Sequence, residues 1–164
     1  MTRLNPIRLN LGCGNDRRDG YINVDILGGE LQVDLRKFPW PWMDNYADEV
    51  LMINVLEHMP DTQAAVEEVR RVLKPGGRFV GRVPHCRSNM ADAHYQHFQR
   101  FHEAMFPTIA GDLGLTLTRA ELVTDSVNAR QKIRNLIPGK IRKVLCELGV
   151  HNMWEAIEFE FVKP

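Results

Sequence analysis

Apolar and polar side chains alternate in short bursts along the first half of the chain. Ile7, Leu9 and Leu11 are interleaved with Arg8 and Asn10, and this pattern predicts a strand over Ile7–Leu11. Further strands are expected over Tyr21–Asp25, Leu31–Val33, Glu49–Ile53 and Arg78–Pro84, each bounded by Gly, Pro or acidic turn residues. Between the last two the period changes. Ala65, Val69, Val72 and Leu73 recur at helical spacing, which predicts a helix from Asp61 to Leu73 with Asp61 as its cap. Lys74-Pro75-Gly76-Gly77 stops it, because proline cannot continue the hydrogen-bond ladder and glycine accepts the left-handed conformation after a helix end. The punctuation is that of a βαβ unit.

Downstream, a helix is expected over His102–Asp112, ended by Gly114, and a strand over Leu115–Val123. Asn128 to Leu148 reads as helical with a break at Pro138-Gly139, and Ala156–Val162 as a half-exposed antiparallel strand. Strands alternating with helices predict an α/β sheet with helices on both faces. Only ten residues, Gly12 to Tyr21, separate the first two strands, so the first helix is limited to one or two turns. One sheet face is then thinly covered. The polar Arg8 and Asn10 fit that exposure, and a C-terminal helix or a second subunit of a homo-oligomer would cover it.

Composition narrows the function. The chain has 164 residues, 44% hydrophobic and 26% charged, without repeats or linkers, which predicts a single domain over 1–164. Twenty-one basic residues balance twenty-one acidic ones, so no global positive field points to nucleic acid. The charge is uneven: residues 1–69 hold six basic and twelve acidic groups, residues 70–143 fourteen and five. That basic middle reads as solvated surface or as a place for an anionic partner. No apolar run approaches the roughly 20 residues of a membrane span, and the N-terminus has no apolar signal core. Cys13, Cys86 and Cys146 are an odd, widely spaced set, so no structural disulfide and a cytoplasmic location are expected.

The chemistry starts at Leu9-Asn10-Leu11-Gly12-Cys13-Gly14. A strand running into Gly-x-Gly makes a turn without obstructing β-carbons, against which a nucleotide-like ligand can lie. Asp25 ends the next predicted strand, eleven residues after Gly14, where a carboxylate can accept both hydroxyls of a ribose. Arg17 stands where the third glycine of a dinucleotide fingerprint belongs, which disfavours a pyrophosphate cradle and a nicotinamide-dependent oxidoreductase.

With Asn23-Val24-Asp25, Val33-Asp34-Leu35, Asn54-Val55-Leu56-Glu57-His58 and Leu73-Lys74-Pro75-Gly76-Gly77-Arg78, this stretch resembles the successive motifs of class I S-adenosylmethionine-dependent methyltransferases. It is most similar to their small-molecule branch with a "type 11" domain, over about residues 7–85. The resemblance implies a Rossmann-like sheet with S-adenosylmethionine as cofactor and S-adenosylhomocysteine as product. It implies that Leu11, Gly12, Cys13 and Gly14 pass under the methionine portion, that Asp25 and Ile26 meet the ribose, and that Asp34 and Leu35 meet the adenine. Asn54 would face the cofactor's ammonium and Val55 would wall the pocket. Asn10 departs from the acidic residue common at its position.

Methyl transfer depends mainly on aligning donor and acceptor, and a base is needed only for a protonated acceptor. His58 and His85, after the fourth and fifth strands, are the candidate catalytic residues. His94 and Tyr95 fall in a segment that resembles the family's substrate side. The acceptor expected is an oxygen or nitrogen atom of a small or sugar-like molecule, and a catalytically silent cofactor-binding domain is the alternative. Five of six histidines lie between positions 58 and 102, but their spacing matches no zinc pattern, so no metal is expected.

Overall fold

A computed structural model describes residues 5–124 and 134–164. Seven strands form one sheet in the order β3-β2-β1-β4-β5-β7-β6. They are β1 (Arg8–Leu11), β2 (Ile22–Asp25), β3 (Leu31–Gln32), β4 (Ala47–Ile53), β5 (Leu73–Pro84), β6 (Thr116–Val123) and β7 (Ala156–Val162). β1 to β5 pair in parallel, whereas β7 runs antiparallel to both β5 and β6. The Rossmann-like, mostly parallel sheet with an antiparallel C-terminal strand is thus as expected.

Helix α1 (Thr62–Val72) begins where Asp61 Oδ1 accepts the Ala64 N–H at 2.9 Å, and it buries Ala65, Val66, Val69 and Val72. β5 starts directly at Leu73, and the Lys74–Gly77 turn pairs with the tail through Gly76 N–H to Lys163 O at 2.8 Å. Beyond β5 come a four-residue turn of helix, α2 (Asn89–Asp92), and then α3 (Met105–Asp112). Helix α4 spans Gly139–Glu147 with Pro138 just before it, and Arg134 and Asn135 are helical on the other side, so the helical stretch is interrupted at Pro138-Gly139 as expected. The expected helical stretch from Asn128 falls partly on 128–133, outside the described residues.

α1 and α3 share one apolar cluster with Leu9, Val50, Met52, Phe79, Phe159 and Phe161, so both pack on the same sheet face. The Phe106 ring of α3 lies 4.9 Å from Phe159. Phe38-Pro39-Trp40-Pro41-Trp42 closes this layer as packing cover. The Trp40 indole donates to Leu35 O at 3.0 Å, and Arg71 of α1 donates to Trp42 O at 2.8 Å.

The expectation of helices on both faces needs correcting in this respect: the first crossover, residues 12–21, contains no helix. Ten residues suffice for a loop only, and two buried asparagines hold it down. Asn10 Nδ2 donates to Asp16 O at 2.7 Å and to Asn23 Oδ1 at 2.9 Å, and the Arg18 N–H donates to the same Asn23 oxygen. Among the described residues, the strands of that face carry charged pairs. Arg78 pairs with Glu49 and lies 3.8 Å from Glu160, while Arg82 and Arg119 approach Glu158 at 3.9 and 3.7 Å.

Candidate functional site

The carboxyl ends of β1, β2 and β4 open into a cavity of about 410 Å³, within the range of small-molecule sites. Gly12 forms its floor. It has φ +69°, and a β-carbon there would stand 2.6 Å from Val55 Cγ2, so only glycine lets the β1 turn lie against the β4 end. Asp25 and Ile26 line the cavity after β2. One Asp25 carboxylate oxygen accepts the Gly14 N–H at 2.9 Å and the other the Leu27 N–H at 3.1 Å, which fixes the carboxylate at the rim.

Asp34 and Leu35 line the next stretch of wall. Arg36 grips Asp34 with two bonds of 2.8 and 3.2 Å, and that guanidinium holds the Asp34 carboxyl below its ordinary range. Asn54 and Val55 form the side after β4. Asn54 adopts φ +53°, a conformation in which asparagine is enriched among non-glycine residues, and its N–H is held by Arg82 O at 2.8 Å. Its Oδ1 is buried with no hydrogen-bond partner. An orphaned acceptor costs free energy unless a ligand donor satisfies it.

The far wall is made by His58 and Met59 together with His94, Gln96 and Phe98. The segment that carries the last three is tied to the β4 side by Phe98 N–H to Glu57 O at 2.7 Å. His58 Nδ1 lies 3.3 Å from Gln96 O, and its ring is 5.3 Å from that of His94 and 4.6 Å from that of His97. Burial, and next to it the charge of a neighbouring His97, push the His58 pKa down, so the ring is neutral near pH 7 and can take a proton.

The other expected residues lie elsewhere. Leu11 and Cys13 are buried in the core beneath the turn, and Gly14 meets the site only through Asp25. His85 does not line the cavity. It is 1% exposed, pairs with Phe101 as an isolated bridge, and its Nε2 faces Glu103 at 3.3 Å. Burial lowers its pKa. Tyr95 is 91% exposed, its ring stacked on His94. Val33, which opens the Val33-Asp34-Leu35 motif, also lines the cavity, and Arg36, Met59, Gln96 and Phe98 complete the lining without a sequence signal of their own, except that Gln96 and Phe98 share the segment that includes His94.

Glu57, beside His58, is 1% exposed with neither carboxylate oxygen hydrogen-bonded, and burial pushes its pKa up to about 7. It is a neutral acid over most of the range below that pH.

Residues 23–81 match the model of a methyltransferase domain. A ubiquinone/menaquinone biosynthesis C-methyltransferase, UbiE, of Cupriavidus taiwanensis is 37% identical over 80 residues, which is 49% of this chain and 30% of that protein. The chain thus spans under a third of the length of the curated relatives it matches. Among solved structures, a SAM-dependent methyltransferase from Archaeoglobus fulgidus superposes with a TM-score of 0.69 at 16% identity, covering 96% of this chain and 86% of that one. Phosphoethanolamine N-methyltransferase 2 of Haemonchus contortus, in complex with S-adenosyl-L-methionine, gives 0.66 at 15% identity, over all of this chain and 50% of the other.

Proposed function

With the likeness to class I S-adenosylmethionine-dependent methyltransferases present in both sequence and fold, we propose that this chain binds S-adenosylmethionine and transfers its methyl group to an oxygen or nitrogen atom of a small-molecule acceptor. The observation that carries the reading is the placement of Asp25 and the unsatisfied Asn54 Oδ1 on the walls of one cavity floored by Gly12. The residues fit the cofactor: a carboxylate for the ribose hydroxyls, an orphaned oxygen for the ammonium, and apolar Ile26, Leu35 and Val55 between.

When bound, the cofactor supplies an electrophilic methyl group on a sulfonium. The chain's own residues orient and exclude water: Asp25 and Asn54 fix the two polar ends, while Met59 and Phe98 cover the apolar wall. His58, neutral near pH 7, is the side chain placed to accept a proton from a hydroxyl or ammonium acceptor. His85, whose Nε2 faces Glu103, has no part in this role.

The curated relatives are C-methyltransferases and the Haemonchus contortus neighbour is an N-methyltransferase; the wall carrying His94, Gln96 and Phe98 lies beyond the matched residues 23–81, and we assign acceptor choice to it. Calorimetric titration with S-adenosylmethionine and S-adenosylhomocysteine, with NAD as control, tests the reading. Micromolar binding of both sulfur ligands and none of NAD is expected; absence of sulfur-ligand binding would overturn it. Binding without product from any hydroxyl or amine acceptor would instead mark a silent cofactor-binding domain.

A further inference from the structure

The loop after β5 brings His94 and His97 back against His58, thirty-six and thirty-nine positions away in sequence. The ligand nitrogens of the three rings all lie within 4.8 Å of one another. Three imidazoles at one point with no acid among them form an unusual group unless something holds them. We propose that His58, His94 and His97 form a binding site for one zinc-class transition metal ion at the acceptor wall of the cavity.

Hydrogen bonding sets up two of the three rings for this. His58 Nδ1 faces Gln96 O at 3.3 Å and His97 Nδ1 faces Ala91 O at 3.0 Å. A ring that donates Nδ1–H to a carbonyl leaves Nε2 as a lone pair, and this carbonyl support is the usual outer shell of a metal-binding histidine. His94 is the adjustable member. It is exposed, and its Nδ1 accepts only a 3.3 Å contact from the Gln96 N–H, which the ring gives up as it turns inward. Zinc–nitrogen bonds of about 2.0–2.1 Å place tetrahedral ligands roughly 3.3 Å apart, so the ring nitrogens close by at most about 1.5 Å.

Three protein ligands leave a fourth position, the arrangement of catalytic as opposed to structural zinc. His58 and His94 line the cavity, so that position is available to water or to an acceptor oxygen or nitrogen. The acceptor role rests on the methyltransferase reading, whereas the metal site does not. Among the described residues one other group could be considered, His85, His102 and Glu103. It is already occupied internally: His85 Nδ1 accepts the Arg87 N–H at 3.2 Å, which leaves the proton on Nε2, facing Glu103.

The protein, stripped with chelator and dialysed, would be titrated with zinc by calorimetry and with cobalt(II) as a spectroscopic probe. One equivalent is expected, with the visible bands of tetrahedral cobalt. His94→Ala, an exposed change that leaves folding intact, and His97→Gln should each weaken binding by at least about tenfold. His102→Ala should leave it unchanged. No uptake of either ion, equal uptake in His94→Ala, or loss in His102→Ala alone would overturn the proposal. S-adenosylhomocysteine titrated into the same samples separates the two readings: zinc without sulfur-ligand binding counts against the methyltransferase, and the reverse against the metal.

Discussion

The Asp25 carboxylate accepts the Gly14 N–H at 2.9 Å, so the glycine turn after β1 and the acid that ends β2 are mechanically one unit. Asp25→Ala removes both the ribose acceptor and the brace on the turn. A hydrogen bond to a charged group contributes about 1.5–3 kcal/mol, so S-adenosylhomocysteine affinity should fall roughly tenfold or more. Since the side chain lies at a rim, far-ultraviolet circular dichroism should be unchanged. Unaltered affinity would remove the ribose assignment.

In the metal-free protein, where one nitrogen of the His58 ring keeps its lone pair, His58→Ala should lower turnover by about a hundredfold, the scale of a lost general base, while cofactor affinity changes little. Because burial and the neighbouring imidazoles depress its pKa, the acid limb of the pH–rate profile belongs below the ordinary histidine value of 6.5. A limb above 6.5, or an unchanged kcat, would exclude His58 as the base.

Glu57 gives a stability prediction with a definite sign. Its folded pKa, about 7, lies above the ordinary 4.5, so the unfolded chain releases the proton first and stability falls as pH rises from about 4.5 to 7. Glu57→Gln has no such proton to lose. Thermal melts should show the variant gaining on the parent across that window and holding a constant lead above it; a pH-independent difference would contradict the buried-acid assignment.

Gly81 faces Phe159 across the β5–β7 pair, where an added β-carbon would meet ring atoms at 2.2 Å. Gly81→Ala should destabilise by about 1–3 kcal/mol through overpacking, read from urea unfolding. A neutral result would mean that the Phe79, Phe106 and Phe159 cluster can shift to make room.

The strands and α1 were legible in sequence because burial on one face imposes a period of 2 or 3.6, and Asp61 and Pro75 mark the ends of the helix. The glycine turn, Asp25, Asn54 and His58 were legible because strand ends converge at one sheet edge. His97 was not, since no linear spacing announces a ring carried back by the Phe98 N–H to Glu57 O bond. Nor was the use of Asn10, whose two bonds to Asp16 and Asn23 stand in for a helix; an asparagine in a strand looks alike whether it faces water or clamps a loop.

The helix-free first crossover also sets the electric field at the Gly12–Gly14 turn. In dinucleotide folds that turn leads into a helix whose N-terminus presents roughly half a positive charge to a diphosphate. Here no such end faces the ligand, and one of the turn's own amides is spent on a carboxylate. Asp25 is the charge held directly on the turn, with the Arg17 guanidinium anchored nearby on Gly28 O, so the shortened loop offers a diphosphate a carboxylate where dinucleotide folds offer a helix end.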